Sequence, residues 1–181
     1  MDFDLNLEQH QQETRHRAKK HLIFSLSDKR YALPLSKVKE VIRMSTITPL
    51  PKVPAFYKGL INIRGQIISV IDLRLKLGFE KTTINPKMTG IIISHVGDIL
   101  VGSIVDEVIE VVGYQDSDIN ISETSRIDST GDGVYGVAKS SIEDSELTLL
   151  IDIEKAMKGT NFKVIDQQAK SQAQGELSHA V

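Results

Sequence analysis

Between residues 21 and 158 the apolar positions fall into short runs, some alternating with polar residues and some continuous, each broken by Gly, Pro, Asn or Asp. That rhythm predicts strands: period two for one buried face, an unbroken apolar block for two. Nine strands are expected, over Leu22–Leu26, Tyr31–Leu35, Leu60–Asn62, Ile67–Asp72, Ile91–Val96, Ile99–Val105, Val108–Val112, Val134–Lys139 and Leu147–Asp152. Helices are few and short. Ser36–Ile42 reads as one, with Ser36 as its cap, and Leu73–Leu77 as another, ended by Gly78. Pro49, Pro51 and Pro54 impose an extended connection between them.

The runs repeat. Ile23–Leu26, Asp28–Leu33 and Val38–Ile42 are echoed by Ile91–Ser94, Gly97–Val101 and Val108–Val112. Gly59-Leu60-Ile61 parallels Gly136-Val137-Ala138, and Val70-Ile71-Asp72-Leu73 parallels Leu150-Ile151-Asp152-Ile153. Two five-strand units without crossover helices are best closed as small barrels, because closure removes the unpaired edges that invite aggregation. The predicted class is all-β: two five-stranded barrels side by side with a few short helices. Residues 21–81 are expected to form mainly the first barrel and 82–158 mainly the second, with exchange of terminal strands allowed. Residues 1–20 carry charges but no apolar stripe, and 159–181 turn to Gln, Ala, Ser and Lys, so both are expected as flexible extensions.

Composition narrows the chemistry. With 40% hydrophobic residues and 22 Lys+Arg against 24 Asp+Glu, the 181 residues can bury enough surface to fold. The absence of Cys closes disulfides, thiolate nucleophiles and Cys-ligated metals. No run of about 18 apolar residues is present, so membrane insertion is not expected and the cytoplasm is the expected location. Charge is uneven: residues 21–81 hold 11 Lys+Arg and 4 Asp+Glu, whereas 82–158 hold 5 and 14. Opposite patches steer and orient association, so head-to-tail contact is one reading and two solvated faces that drifted apart is the other.

No catalytic or metal constellation emerges. His10, His16, His21, His95 and His179 show no i, i+4 pair on an apolar helix, and His95 reads as a strand residue. Asp116-Ser117-Asp118-Ile119-Asn120 opens like a calcium loop, but Ile121 and Ile127 stand where Gly and Glu are required. Ser129-Thr130-Gly131-Asp132-Gly133 lacks the following Lys-Ser or Lys-Thr of a phosphate cradle and reads as a loop. Asp116, Asp118, Asp128, Asp132, Asp144 and Glu146 lie in expected loops, where carboxylates are ordinarily solvated. A single-strand nucleic-acid barrel would need aromatics alternating with Lys or Arg on an exposed strand, and none is seen. Neither a cofactor nor a nucleic acid is expected.

One segment is more specific. In Phe56–Arg74 a strand enters, Asn62-Ile63-Arg64-Gly65 reverses the chain, and a second apolar strand leaves. Asn and Gly tolerate positive φ at such a reversal. On residue chemistry alone Gly65 is a turn glycine and Arg64 a solvated tip charge. The segment Gly59-Leu60-Ile61-Asn62-Ile63-Arg64-Gly65, followed by Ile71-Asp72-Leu73-Arg74, resembles the signature of the CheW-like domain family, the coupling module of bacterial chemosensory arrays. The resemblance runs from about His21 to Lys158 and includes Val38-Lys39-Glu40-Val41, Pro54-Ala55-Phe56, Val101-Gly102, Val105-Asp106-Glu107-Val108 and Ile151-Asp152.

The resemblance implies two five-stranded, SH3-like β-barrel subdomains that share a central apolar seam. It implies an adaptor without catalysis, linking the cytoplasmic tip of methyl-accepting chemoreceptors to the regulatory domain of a CheA-type histidine kinase in membrane-associated arrays, with ring self-association among the expected contacts. The positions that match the family's contact region are Val38, Glu40, Lys58, Gly59, Asn62 and Arg64, with Ile42 adding apolar surface. Asp106 and Glu107 are expected on the second barrel, facing the kinase. A non-flagellar receptor-kinase pathway is the alternative setting, and a nucleic-acid-binding barrel the more distant alternative.

Overall fold

In the first strand, β1 (Lys19–Leu26), Ile23 packs with Ala32, Tyr114, Ala138 and Leu150, whereas Leu22, Phe24 and Leu26 join a second, larger cluster. A strand whose two faces both meet a core shows no polar face, which is why its sequence reads as a nearly continuous apolar block. The computed structural model describes residues 18–80, 88–121, 133–139, 147–158, 164–168 and 170–171. After β1 come β2 (Lys29–Pro34), a 3-10 turn (Leu35–Lys37), β3 (Val38–Arg43), β4 (Tyr57–Ile63), β5 (Gln66–Asp72) and α1 (Leu73–Lys76). The second half holds β6 (Gly90–Val96), β7 (Ile99–Val105), β8 (Glu107–Tyr114), a 3-10 turn (Asp116–Asp118), β9 (Ile119–Asn120), β10 (Val134–Ala138), β11 (Thr148–Ile151) and α2 (Ile153–Ala156). Residues 164–168 form a further helical turn, α3.

Two sheets result, in the orders β3-β6-β7-β5-β4 and β8-β1-β2-β11-β10-β9. They correspond strand for strand: β3 to β8, β6 to β1, β7 to β2, β5 to β11 and β4 to β10. Even the irregularities match. In each sheet the parallel pair is the one between corresponding strands, β5 with β7 and β11 with β2. The bulge at Lys39 of β3 recurs at Ile109 of β8, and the shift at Gly59 recurs at Gly136. The repeat read from the sequence is thus a pseudo-twofold, with one adjustment: pairing sets Ile23 against Glu110 as Ile93 is set against Glu40, so Ile23 corresponds to Ile93 and not Ile91. A shift of two leaves every side chain on its face.

The division expected near residue 81 does not describe how strands are shared. Each unit hands its first hairpin to the other barrel: β1 and β2 join the late strands, and β6 and β7 join the early ones. The sixth strand, β9, pairs with Val137 and Ala138; in the other barrel Thr48 takes this place, exchanging backbone bonds of 2.8 and 2.9 Å with Leu60. These pairings close the sheets. Each encloses its own core, Ile61, Ile68, Val70, Ile91, Ile93, Leu100 and Ile104 in one and Ile23, Ala32, Tyr114, Ala138 and Leu150 in the other. The seam between them is the largest cluster, drawn from both: Leu22, Phe24, Leu26, Tyr31 and Leu33 against Tyr57, Leu60, Ile71, Ile92, Val101 and Val105.

A buried ion cluster pins the exchange. Arg74 is fully buried; its Nε and Nη2 donate to the two carboxylate oxygens of Asp72 at 2.9 and 2.8 Å, and its Nη1 to Asp106 Oδ1 at 2.6 Å. The other Asp106 oxygen accepts from the backbone N–H of Ser27 at 2.7 Å. One guanidinium therefore ties α1 to the end of β7 and, through Asp106, to the β1–β2 turn, with its charge satisfied on every side that geometry gives.

Three expectations are corrected. Ser36–Ile42 is not a helix: only Leu35–Lys37 turns, and β3 begins at Val38. Lys19 and Lys20 belong to β1 and not to a flexible extension. Within the expected C-terminal tail, α3 packs Ile165 onto the seam cluster and buries Asp166. By contrast α1 ends as read, with Gly78 at φ +80° behind it. The remaining readings at 1–17, at Asp128, Asp132, Asp144 and Glu146, and at His179 lie outside the described residues.

Candidate interaction site

The Asn62–Gly65 reversal is a two-residue hairpin turn: Ile63 pairs with Gln66, and the residues between them, Arg64 and Gly65, have φ of +50° and +84°. Positive φ at both central positions gives the turn the twist of the strands it joins. Asn62 Oδ1 accepts from the Gly65 N–H at 2.9 Å and holds the turn shut. Gly65 supplies the φ at no steric cost, but Arg64 does not; a left-handed non-Gly residue costs about 1–2 kcal/mol. Its side chain is 82% exposed, and Nη2 lies 3.3 Å from Glu40 Oε2. An exposed pair of this length contributes about 0–1 kcal/mol. At this φ the fold would be served as well or better by Asn or Gly at 64.

The barrel closure brings β3 to this tip. Beside the Arg64–Glu40 pair, Lys39 Nζ donates to Gln66 Oε1 at 3.2 Å. On β3, Val38 and Ile42 are half-buried, Val38 against the seam and Ile42 against its barrel's core. The outward positions are Lys39, Val41 and Arg43, and Val41 is 43% exposed. Val41 is an exposed apolar residue that sequence reasoning passed over, because a helical reading of 36–42 gave no reason to separate its two faces.

The other expected site residues divide. Lys58 lies on the same hairpin and donates to the Ala55 carbonyl at 3.1 Å. Gly59 is buried with φ +138°, and a Cβ there would lie 2.0 Å from the Thr48 carbonyl oxygen; its role is to let the barrel close, and it offers no side-chain surface. Asp106 accepts from Arg74 and from the Ser27 N–H, which gives it a fold-holding role, and its side chain stays partly exposed. Glu107 is half-buried at the start of β8, opposite Ser25 and in the other sheet. The structure therefore joins Glu40 and Arg64 directly, sets Lys58 and Asn62 on the same hairpin, and places Asp106 and Glu107 elsewhere. The pseudo-twofold image of the site is on β8: Glu110 takes Arg30 at 2.8 Å, with Ile109 and Val111 exposed beside it.

Chemically this is a surface for charge pairing and apolar contact. Among the described residues no group of three or more His, Cys, Asp or Glu is placed to hold a metal ion. Nor is any described helix long and apolar enough to cross a membrane.

The family described as the CheW-like domain matches residues 20–160. The chain belongs to the CheW-like domain family. Among its relatives, the chemotaxis protein CheW of Thermotoga maritima is 32% identical over 142 residues, covering 78% of this chain and 89% of that one. CheW of Bacillus subtilis is 30% identical, covering 83% and 94%; protein FrzA of Myxococcus xanthus is 27% identical, covering 83% and 86%. The crystal structure of the scaffolding protein CheW from Thermoanaerobacter tengcongensis superposes with a TM-score of 0.67 at 30% identity, over 79% of this chain and 94% of that one. As a member of the CheW-like family, the chain is a non-catalytic chemotaxis adaptor built on the paired-barrel fold.

Proposed function

We propose that this adaptor couples the cytoplasmic tip of methyl-accepting chemoreceptors to the regulatory domain of a CheA-type histidine kinase, working in the cytoplasm at membrane-associated arrays. The observation that carries the reading is Arg64, held at φ +50° on an exposed hairpin tip with Glu40 as its partner among the described residues. A strained, exposed, charged residue on a rigid hairpin is a recognition element, since charge complementarity sets orientation and on-rate. Beside it Lys39 adds positive charge, Arg43 and Lys58 add more further along β3 and β4, and Val41 supplies the apolar contact that a charged rim alone lacks. Asn62 shapes the turn from which Arg64 projects.

The test is co-sedimentation of kinase with a receptor signalling tip, with kinase phosphorylation followed in parallel. Wild type should bring the kinase down and change its phosphorylation, and Arg64→Glu, which sets two carboxylates at the tip, should do neither while keeping the circular dichroism of the folded chain. Equal sedimentation of kinase with and without the adaptor would overturn the reading.

A further inference from the structure

The helical turn α3 makes a contact that a floating tail has no need of. Asp166 is 2% exposed and accepts from the Ser69 hydroxyl, whose oxygen in turn lies 2.5 Å from Tyr57 Oη. With the Ser69 proton given to the carboxylate, Tyr57 is the donor in that second bond, so a relay of three side chains runs from β4 through β5 to α3. The other carboxylate oxygen takes Lys170 Nζ at 2.9 Å, and Ile165 packs on the seam cluster beside it. Burial, chiefly, pushes the Tyr57 phenol up to about 12, so Tyr57 stays a donor at neutral pH.

A carboxylate is a poor choice for a permanent anchor. Burying a charge is costly, and an apolar residue of similar size commonly serves as well or better. A carboxylate is a good choice for a contact that opens, because on release it regains full hydration. Its position suits that use: Ser69 pairs across the hairpin with Leu60, and Asn62, two residues further along the same strand face, leads into the Arg64 turn.

We propose that α3 is an internal occupant of a helix seat on the seam, a latch held by Asp166 that a partner helix bearing a carboxylate must displace, so that the chain regulates access to its own receptor-facing surface. This rests on the coupling reading above.

The test uses the full chain with a soluble receptor hairpin tip as probe. Lys170→Glu removes the cation from Asp166 at a partly exposed position, and Asp166→Lys places a cation where the seat favours an anion. If the latch is closed in about nine molecules of ten, releasing it should tighten binding of the tip about tenfold. Both variants should speed amide exchange over residues 164–168 while β5 amides keep their protection, which reports an intact fold. Reciprocally, adding the tip to wild type should speed exchange at 164–168. Faster exchange with unchanged or weaker tip binding would overturn the latch, and so would unchanged exchange in Lys170→Glu. If wild type and variants alike fail to bind the tip while the kinase assembles without them, the coupling reading itself falls.

Discussion

In the proposed coupling, Arg64 separates what the fold needs from what a partner needs. Its φ of +50° is a strained choice for a side chain with a Cβ, and its ion pair with Glu40 is too exposed to compensate. Arg64→Gly should therefore leave thermal stability unchanged or raise it by up to about 1 kcal/mol, and still lose kinase recruitment. A variant that melts lower would show that the guanidinium holds the hairpin. His21 gives a second residue-scale outcome. It is buried against Tyr114 with ring centroids 5.5 Å apart, and Nδ1 lies 2.8 Å from the Lys19 carbonyl. Burial, chiefly, lowers its pKa below 6.5, against which the Lys19 carbonyl works in the opposite direction. The unfolded chain then takes the proton first as pH falls, so the stability present above pH 6.5 is lost as pH falls through the lowered folded value. The melting temperature should drop on acidification from about pH 7 to about pH 5.5, and drop less in His21→Gln, by calorimetry at each pH.

At the scale of elements, what the sequence makes legible depends on how far away the deciding partner lies. The turn at 62–65 could be read because its chemistry is local: Asn62 caps Gly65 three residues on. β3 reads as helix from sequence because Val38, Val41 and Ile42 fall at helical spacing, while the bulge before Glu40 and the outward turn of Val41 exist only once β6 is alongside. The roles of Gly59 and Asp106 were hidden for the same reason, since Thr48 and Arg74 meet them only after the barrels close. The hairpin exchange left no trace in periodicity, because a strand with two buried faces looks the same whichever barrel owns it. Asp106 is where the exchange can be tested. Asp106→Ala leaves the Ser27 N–H without its acceptor and removes one of the two carboxylates on buried Arg74, and should cost about 2–4 kcal/mol in urea unfolding. A loss below about 0.5 kcal/mol, the range of an ordinary surface change, would mean that the β1–β2 turn is held by packing alone.

For the whole molecule the exchange raises the question of whether the charge asymmetry of the chain survives in three dimensions. Among the described residues it does so in reduced form. Those at 35–80 and 88–105, in the barrel of β3 to β7, hold 8 Lys+Arg and 4 Asp+Glu, whereas those at 18–34, 106–121, 133–139 and 147–158, in the other, hold 7 and 8. The described part of the first barrel is thus positive by 4 and that of the second negative by 1. A partner of the same paired-barrel shape and similar polarity would be steered to dock basic face on acidic face, and steering acts on the encounter more than on the final contact. Raising the salt from about 50 to about 300 mM shortens the screening length from roughly 14 to roughly 6 Å, well below the size of either barrel. Association with the kinase regulatory domain, followed by stopped flow, should then slow by about tenfold or more while the dissociation rate changes little. A salt-independent on-rate would mean that the opposite charges of the two barrels play no part in bringing partners together, leaving the local pairing at Glu40 and Arg64, with Val41 beside it, to do so at short range.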